Sequence, residues 1–478
     1  MKTRVPAFCL SSWAAFFRAC LVFFPLFAAG CVVSSLPSLE RMERRADANG
    51  SVQLEGPRGP LSAQQSAAIL EKLKEKNGSP SVLDRHVAVE EAAVNSPLVI
   101  GNKATLLQDG PATYKAMFAA LRKAKHHINL ETYIIEDDEV GHKFTDLLIA
   151  MRKKGVTVSV IYDSVGSLRT PREFFDYLRE NGISVLEFNP VNPLAVRKAW
   201  LVNNRDHRKL MIVDGKTAFV GGINISSVYS SGSASQSTKT AKKNGKGEEP
   251  PWRDTHIQLE GPVVAEFQKL FMQTWEKQGG KPLADADFYP KLEVRGRDIV
   301  RAIGSASDEA YSRIYVTLVS AINAAESHVQ ITNAYMVPDE QLLSVLQEAA
   351  LRGVDVKLVV PSHTDFWAVF HAGRAHYKDL LKAGVKIYER QGALLHSKTA
   401  SIDGVWSCVG STNLDWRSFL HNNEIDAVVL GDEFAAQMEA MFEADLSQST
   451  PIDLETWKQR PLGDRIKEWA AGLWEYWL

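Results

Sequence analysis

Cysteine is scarce, with four in 478 residues, and neither a CxxC pair nor an HExxH run occurs. The usual zinc patterns are therefore missing, and a mechanism without metal or cofactor is the default expectation. Charge of one sign is missing too. Lys plus Arg number 55 against 57 Asp plus Glu, a formal charge of -2, so no strong net field gathers nucleic acid. The apolar run ACLVFFPLFAAG near the N-terminus is too short for a membrane helix of roughly 20 residues. Length is not lacking: the chain is long enough for two cores, each able to bury a central sheet.

Lys2, Arg4 and Arg18 precede that apolar run, and small residues lead into Cys31. Residues 1–31 resemble a bacterial lipoprotein signal in which Cys31 becomes the lipidated first residue. Two departures are Ala28, where a leucine is usual, and Arg18 within the largely apolar stretch. The implied location is the cell envelope, lipid-anchored and facing the periplasm. Val32 and Val33 lack the aspartate that marks inner-membrane retention, which favours the outer membrane; an uncleaved anchor in the inner membrane is the alternative. Processing would remove Cys9 and Cys20 and leave Cys408 the only free thiol, with no intramolecular disulfide. Cys408 lies in VWSCVG, an apolar strand-like run, and reads as a small buried hydrophobe. Residues 32–65, rich in Ser, Arg, Glu, Gly and Pro, read as a tether. The stretch 231–250, with Lys239, Lys242, Lys243 and Lys246 and few apolar residues, reads as a mobile insertion.

Between these segments the chain repeats itself. HHINLETYII (126–135) predicts a strand, 141–154 a helix and VTVSVIYD (156–163) a strand. HVQITNAYMV (328–337), 339–352 and VDVKLVVP (354–361) repeat that order, down to a Gly-Val junction at Gly155 and again at Gly353. Two halves are expected, 66–280 and 281–450, followed by a tail at 451–478. In that tail Ile466, Trp469, Ala470, Leu473, Trp474 and Trp477 recur at helical spacing. Such a stripe suits a membrane interface or the packing face of a last helix.

The chemistry lies in a doubled motif: His207, Lys209 and Asp214 in HRKLMIVD, and His396, Lys398 and Asp403 in HSKTASID. Strand alternation places each histidine and lysine on one face, whereas the aspartates fall on the other register, where they suit turn or supporting roles. GGINIS then supplies Gly221, Gly222 and Asn224, and GSTNLD supplies Gly410, Ser411 and Asn413. Short residues there let backbone N–H groups approach an oxyanion. Two imidazoles and two ammonium groups meet the needs of phosphodiester cleavage: one histidine attacks phosphorus, and the other protonates the leaving alcohol and then activates the acceptor. Lys209, Lys398, Asn224 and Asn413 would bind the phosphate oxygens. The residues alone do not order the two histidines.

HxKxxxxD followed by G(G/S)xN, twice and without substitution, resembles the phospholipase D superfamily. Within it, INLETYIIEDDEVG, AYMVPDEQLL, LLKAGVKIYE, LHSKT, VGSTNLDWRS and WKQRPLGDRIKEW are similar to the bacterial cardiolipin synthases. The resemblance implies an α/β, duplicated phospholipase D-like fold, with two mixed β-sheets flanked by helices and the active site between the halves. It favours His207 as nucleophile and His396 as acid/base, and makes Asp254 and Glu424 the acids that orient the histidines. The implied reaction transfers a phosphatidyl group, through a phosphohistidine, to phosphatidylglycerol. The donor is phosphatidylglycerol or phosphatidylethanolamine. The implied partners are phospholipids and a membrane surface, with no nucleic acid and no obligate protein. A hydrolase releasing phosphatidic acid is the main alternative, ahead of a nuclease or a noncatalytic membrane-binding protein.

Overall fold

The alternating apolar runs become strands and the amphipathic runs between them helices, in the same order twice. The computed structural model describes residues 38, 40–44, 52–78, 80–94, 96–191, 203–232, 250–283 and 286–477. The signal segment and most of the insertion at 231–250 lie outside these. The first half contains β1 (Leu98–Gln108), α1 (Asp109–Lys123), β2 (His127–Thr132), α2 (Glu139–Lys153) and β3 (Thr157–Asp163). It continues with α3 (Arg172–Glu180), β4 (Ser184–Phe188), β5 (Lys209–Val213), β6 (Thr217–Gly221), β7 (Thr255–Glu260) and α4 (Val264–Lys277). The second half contains β8 (Asp298–Ser305), α5 (Arg313–Ala324), β9 (His328–Asn333), α6 (Glu340–Leu351) and β10 (Asp355–Pro361). After α7 (Trp367–Ala375) and α8 (Tyr377–Ala383) come β11 (Lys386–Arg390), β12 (Lys398–Ile402), β13 (Trp406–Gly410) and β14 (Asn422–Leu430). The chain ends through α9 (Asp432–Leu446) and α10 (Leu462–Gly472).

Local chemistry sets the corresponding boundaries in both halves. Asp138 accepts the N–H groups of Val140 and Gly141 at 2.9 and 2.8 Å and opens α2. Asp339 accepts those of Gln341 and Leu342 and opens α6. Each cap is worth about 1 kcal/mol. Both helices stop at the Gly-Val junction, where Gly155 (φ +92°) and Gly353 (φ +96°) take the left-handed conformation that glycine reaches without a Cβ penalty.

Hydrogen-bonded strand order is β4–β3–β2–β5–β6–β7–β1 in the first half. In the second it is β11–β10–β9–β12–β13–β14–β8, with the same parallel and antiparallel senses. Two separate sheets were the expectation. Instead β1 pairs antiparallel with β8, at Asn102–Asp298 and Val99–Val300, and the strands join in one mixed 18-stranded sheet flanked by helices. Both strands would otherwise be open edges, and pairing them satisfies backbone groups that would be left exposed. The halves also share a core, in which Val220, Ile257 and Leu259 meet Val409, Ile425 and Ala427. Helices α2 and α3 cover the first half around Phe144 and Leu148, and α5 and α6 cover the second around Ile322 and Leu346.

Part of the stretch expected as a tether is folded. Leu54–Gly56 pairs in parallel with β1, and Leu54 is completely buried in the second-half core, because an apolar side chain next to an open edge finds both a ladder and a pocket. Cys408 is buried and free, as its apolar neighbours imply. Among the described residues, no helix is long and apolar enough to cross a membrane.

Candidate active site

His207 and His396 stand two residues before β5 and β12, which open at Lys209 and Lys398. Each histidine is pinned by the opposite half. Arg205–Asp206 forms a short parallel bridge with Asn422–Asn423, and the N–H of His207 donates to the Asn423 carbonyl at 2.9 Å. Trp252–Arg253 bridges Leu394–Leu395 in the same way, and the N–H of His396 donates to the Arg253 carbonyl at 2.7 Å.

The next residue of each clamping segment is the acid, so the carboxylates also cross. Nδ1 of His207 lies 3.0 Å from both carboxylate oxygens of Glu424. Nδ1 of His396 lies 2.6 Å from Oδ2 of Asp254. Their equivalence is visible in the register, since His256 faces Gly221 and Asp426 faces Gly410, and each acid stands two residues earlier. A hydrogen bond at Nδ1 fixes the tautomer and turns Nε2 away from the carboxylate. Asp254 is not occupied by a salt bridge with Arg253, whose guanidinium pairs with Asp445 at 2.7 Å.

The glycines serve the acids more than an oxyanion. A Cβ at Gly222 would collide with the Asp254 carboxylate, and one at Gly410 with that of Asp426. The N–H of Gly222 donates to the Thr255 carbonyl and that of Ser411 to the Ile425 carbonyl, so neither amide is left for phosphate. Ser411 instead donates its hydroxyl to Glu424.

The two pairs differ electrostatically. Burial, reinforced by Lys209 and Lys398, holds His207 well below the ordinary imidazole range. Burial and Lys398 lower His396 as well, but Asp254 pulls against them. Burial pushes Glu424 up to about 7 despite Lys209. Burial would raise Asp254 too, yet the charge and hydrogen bond of His396, with Lys398, bring it below the usual carboxylate range. Burial lowers Lys209 to about 7 against the pull of Glu424, and Lys398 to about 8 against that of Asp254. Both ammonium groups donate to the carbonyl of the histidine two residues earlier. Four groups that carry positive charge when protonated thus crowd a buried site, and an anion is what would relieve them.

Asn224 and Asn413 are buried beside these groups. Asn224 already accepts the N–H of Ile134 and donates to the Tyr229 hydroxyl at 3.1 Å, which leaves one amide hydrogen for a ligand. The side-chain oxygen of Asn413 is buried without a hydrogen-bond partner. Asp214 and Asp403 are not brought to the histidines. They occupy the far ends of β5 and β12 in left-handed turns (φ +54° and +52°). Asp214 accepts the backbone N–H groups of Lys125, His126 and His127, and Asp403 those of Glu326, Ser327 and His328. Grouped in one motif with the histidines and lysines, they do not join them at the site but anchor the hairpin against β2 and β9, the supporting role their register suits, as five residues of extended strand carry them away.

An aromatic wall was missed in the sequence. Tyr133 packs edge-on against His207 with ring centroids 5.0 Å apart, and Lys209 Nζ sits 5.2 Å from the Tyr133 ring centre. Trp252, Tyr229 and Tyr335 surround His396 at 5.0, 6.0 and 6.5 Å. The available signal was proximity to motif residues, of Tyr133 in LETYII, Trp252 in WRDTHI and Tyr335 in NAYMV, and of Tyr229 five residues after Asn224.

The family profile described as "Cardiolipin synthase, PLD-like domain" matches residues 117–232 and 318–446, which contain both histidine motifs. A cardiolipin synthase of Geobacillus sp. (strain WCH70) is 36% identical over 79% of this chain and 73% of its own length. Cardiolipin synthase A of Pseudomonas syringae pv. syringae (strain B728a) is 34% identical over 78% and 75%. The crystal structure of phosphatidylserine synthase from Haemophilus influenzae Rd KW20 superposes with a TM-score of 0.58 at 13% identity, covering 81% of this chain and 98% of that one, a likeness of fold. With two HxK motifs clamped across one sheet and these relatives over most of its length, the chain belongs to the phospholipase D superfamily, in its family of bacterial cardiolipin synthases.

Proposed function

We propose that the protein is a membrane-associated cardiolipin synthase that transfers a phosphatidyl group through a covalent phosphohistidine. The observation that carries this reading is the crossed pair: two buried histidines, each held at Nδ1 by a carboxylate from the other half. The repeated strand order fits a gene duplication in which each half completes the other, with the reaction centre between them.

In this reading neutral His207 attacks phosphorus through Nε2, which forms the P–N bond as the bond to the leaving headgroup oxygen, of glycerol or ethanolamine, breaks. Protonated His396 gives its proton to that oxygen and then, as a base, takes the proton of the incoming hydroxyl, whose oxygen displaces His207. The difference between the acids supports this order. The pair with the more strongly lowered histidine suits a neutral nucleophile, and the pair with ionised Asp254 suits a histidine that must carry a proton. The phosphodiester brings negative charge to these groups, raising His396 and both lysines when it binds. Lys209, Lys398, Asn224 and Asn413 would contact the nonbridging oxygens. The acceptor is a hydroxyl of phosphatidylglycerol, held where bulk water is kept out by the aromatic wall. The donor is phosphatidylglycerol or phosphatidylethanolamine. We place the enzyme in the cell envelope, anchored through Cys31 and facing the periplasm.

The test is mass spectrometry of lipid products formed by the intact protein and by His396→Ala on mixed phosphatidylglycerol and phosphatidylethanolamine vesicles, with each donor headgroup isotopically labelled. Cardiolipin from the intact protein alone supports the reading, and the released headgroup names the donor. Phosphatidic acid as the only product makes the protein a hydrolase, and no turnover refutes both.

A further inference from the structure

Helix α10 is inverted relative to an ordinary surface helix. Its inward face carries Ala471 and Glu468, the latter tied to Arg460 and Arg374, while Ile466 and Trp469, with Leu473 and Trp474 just past its C-terminal end, point outward. Next to it lies α7, placed by Ala375 against Gly472 and by His376 bonded to Glu475 at 3.0 Å. Phe366 and Trp367, at the start of α7, are exposed as well. These six residues are between 48% and 67% exposed, on two helices in contact. Water-facing helices turn large apolar residues inward, so a cluster of this kind marks a surface built to be covered.

Two features of the cluster say what covers it. Arg465 is exposed beside Ile466 and Trp469, as is Lys467, which pairs with Asp464 at 3.1 Å; a basic side chain among tryptophans suits the headgroup layer of an anionic bilayer. The second feature is continuity with the active site. Tyr335, which faces His396, packs against Val369 and Ala372 of α7 and Ala471 of α10, and its hydroxyl donates to Asp365, the residue before Phe366. On the other flank Tyr476, just beyond α10, packs on Trp416 at 5.4 Å. Tyr335 therefore links the histidine to the inward sides of both helices and, through Asp365, to the start of α7 where Phe366 and Trp367 are exposed.

We infer that the outer faces of α7 and α10 dock on a bilayer containing anionic lipid and seat the His396 side of the active site at the membrane, where a lipid enters without crossing water. This rests on the reading that the substrates are phospholipids, and it assigns the contact to the folded enzyme itself, independently of any N-terminal anchor.

Tryptophan quenching by lipids brominated on their acyl chains, in phosphatidylglycerol and phosphatidylethanolamine vesicles, tests the contact directly on the full chain. Fluorescence of the intact protein is expected to fall, and to fall less in Trp469→Phe. Ile466→Glu with Trp469→Glu is expected to lose about tenfold in turnover of vesicles while keeping turnover of monomeric short-chain phosphatidylglycerol within about twofold. Absence of quenching in the intact protein overturns the inference. So does a charge variant that turns over vesicles normally, or one that only dissociates a complex between two copies of the chain. Quenching without turnover of either lipid would leave the docking surface standing and remove the synthase reading.

Discussion

Replacing Asp254 by Asn tests the crossed clamp at its most sensitive point. Asp254 is completely buried, lies 2.6 Å from Nδ1 of His396 and is held ionised by that histidine and Lys398. Asparagine fills the same space but presents an uncharged amide, which offers a donor as readily as an acceptor and so allows the ring to flip its proton to Nε2. General acid–base catalysis is worth about 100- to 10,000-fold, so kcat should fall by roughly a thousandfold, near 4 kcal/mol of barrier. Glu424→Gln should be milder. Burial raises Glu424 to about 7, so its charge on His207 is weaker near neutral pH than that of Asp254 on His396, and a loss of roughly 10- to 100-fold is expected. The assay compares a natural phospholipid with a chromogenic analogue whose phenolate leaves without protonation. In Asp254→Asn and His396→Ala the analogue should still give a burst of phenolate, because His207 can attack while the leaving group needs no acid. In His207→Ala it should not. A larger loss at Glu424 than at Asp254, or equal losses on both substrates in every variant, would refute both the histidine order and the electrostatic argument behind it.

The lowered lysines make substrate binding pH-dependent. Lys209 and Lys398 are cationic below about 7 and about 8 and neutral above, so KM for an anionic lipid should rise as pH increases through that window, measured as the pH profile of kcat/KM. Lys209→Arg should flatten the lower part of the rise, since a guanidinium stays protonated. Asp214→Ala and Asp403→Ala each strip the carboxylate from three backbone N–H groups that water can partly re-solvate, and should cost about 1–3 kcal/mol in urea unfolding with kcat of the folded enzyme nearly unchanged. A large kcat loss without loss of stability would return these residues to the catalytic set. The Cys408 thiol is buried beside Asp426 and pushed well above its ordinary range, so the folded protein should resist iodoacetamide and Cys408→Ala should keep turnover within about twofold. Rapid alkylation in native buffer would contradict that burial.

The strands and helices around the histidines were legible because their patterns are local. HHINLETYII and VTVSVIYD alternate or run apolar over strand lengths, and Asp138, Asp339, Gly155 and Gly353 mark the helix ends in the sequence itself. The join between β1 and β8 was not legible, because any apolar edge strand is a candidate partner for any other and only the packed halves choose. The folding of Leu54–Gly56 was hidden for the same reason: three residues in a Gly- and Pro-rich stretch carry no period.

The sequence by itself determined the candidate reacting groups. Period-2 geometry in HRK and HSK aligns each histidine with its lysine, and the doubling of the motif calls for both members of an acid–base exchange. Tertiary structure decided which acid serves which histidine. Asp254 and Glu424 each follow a segment that pairs with the opposite half, so the partner of His207 lies in β14 and that of His396 just before β7. Strand pairing across the halves is a long-range choice, made by the shared core and by backbone groups seeking partners, and no local pattern encodes it. The same packing decided the outward turn of Trp469, because helical spacing defines a stripe but only the neighbouring helix fixes which side of it is buried.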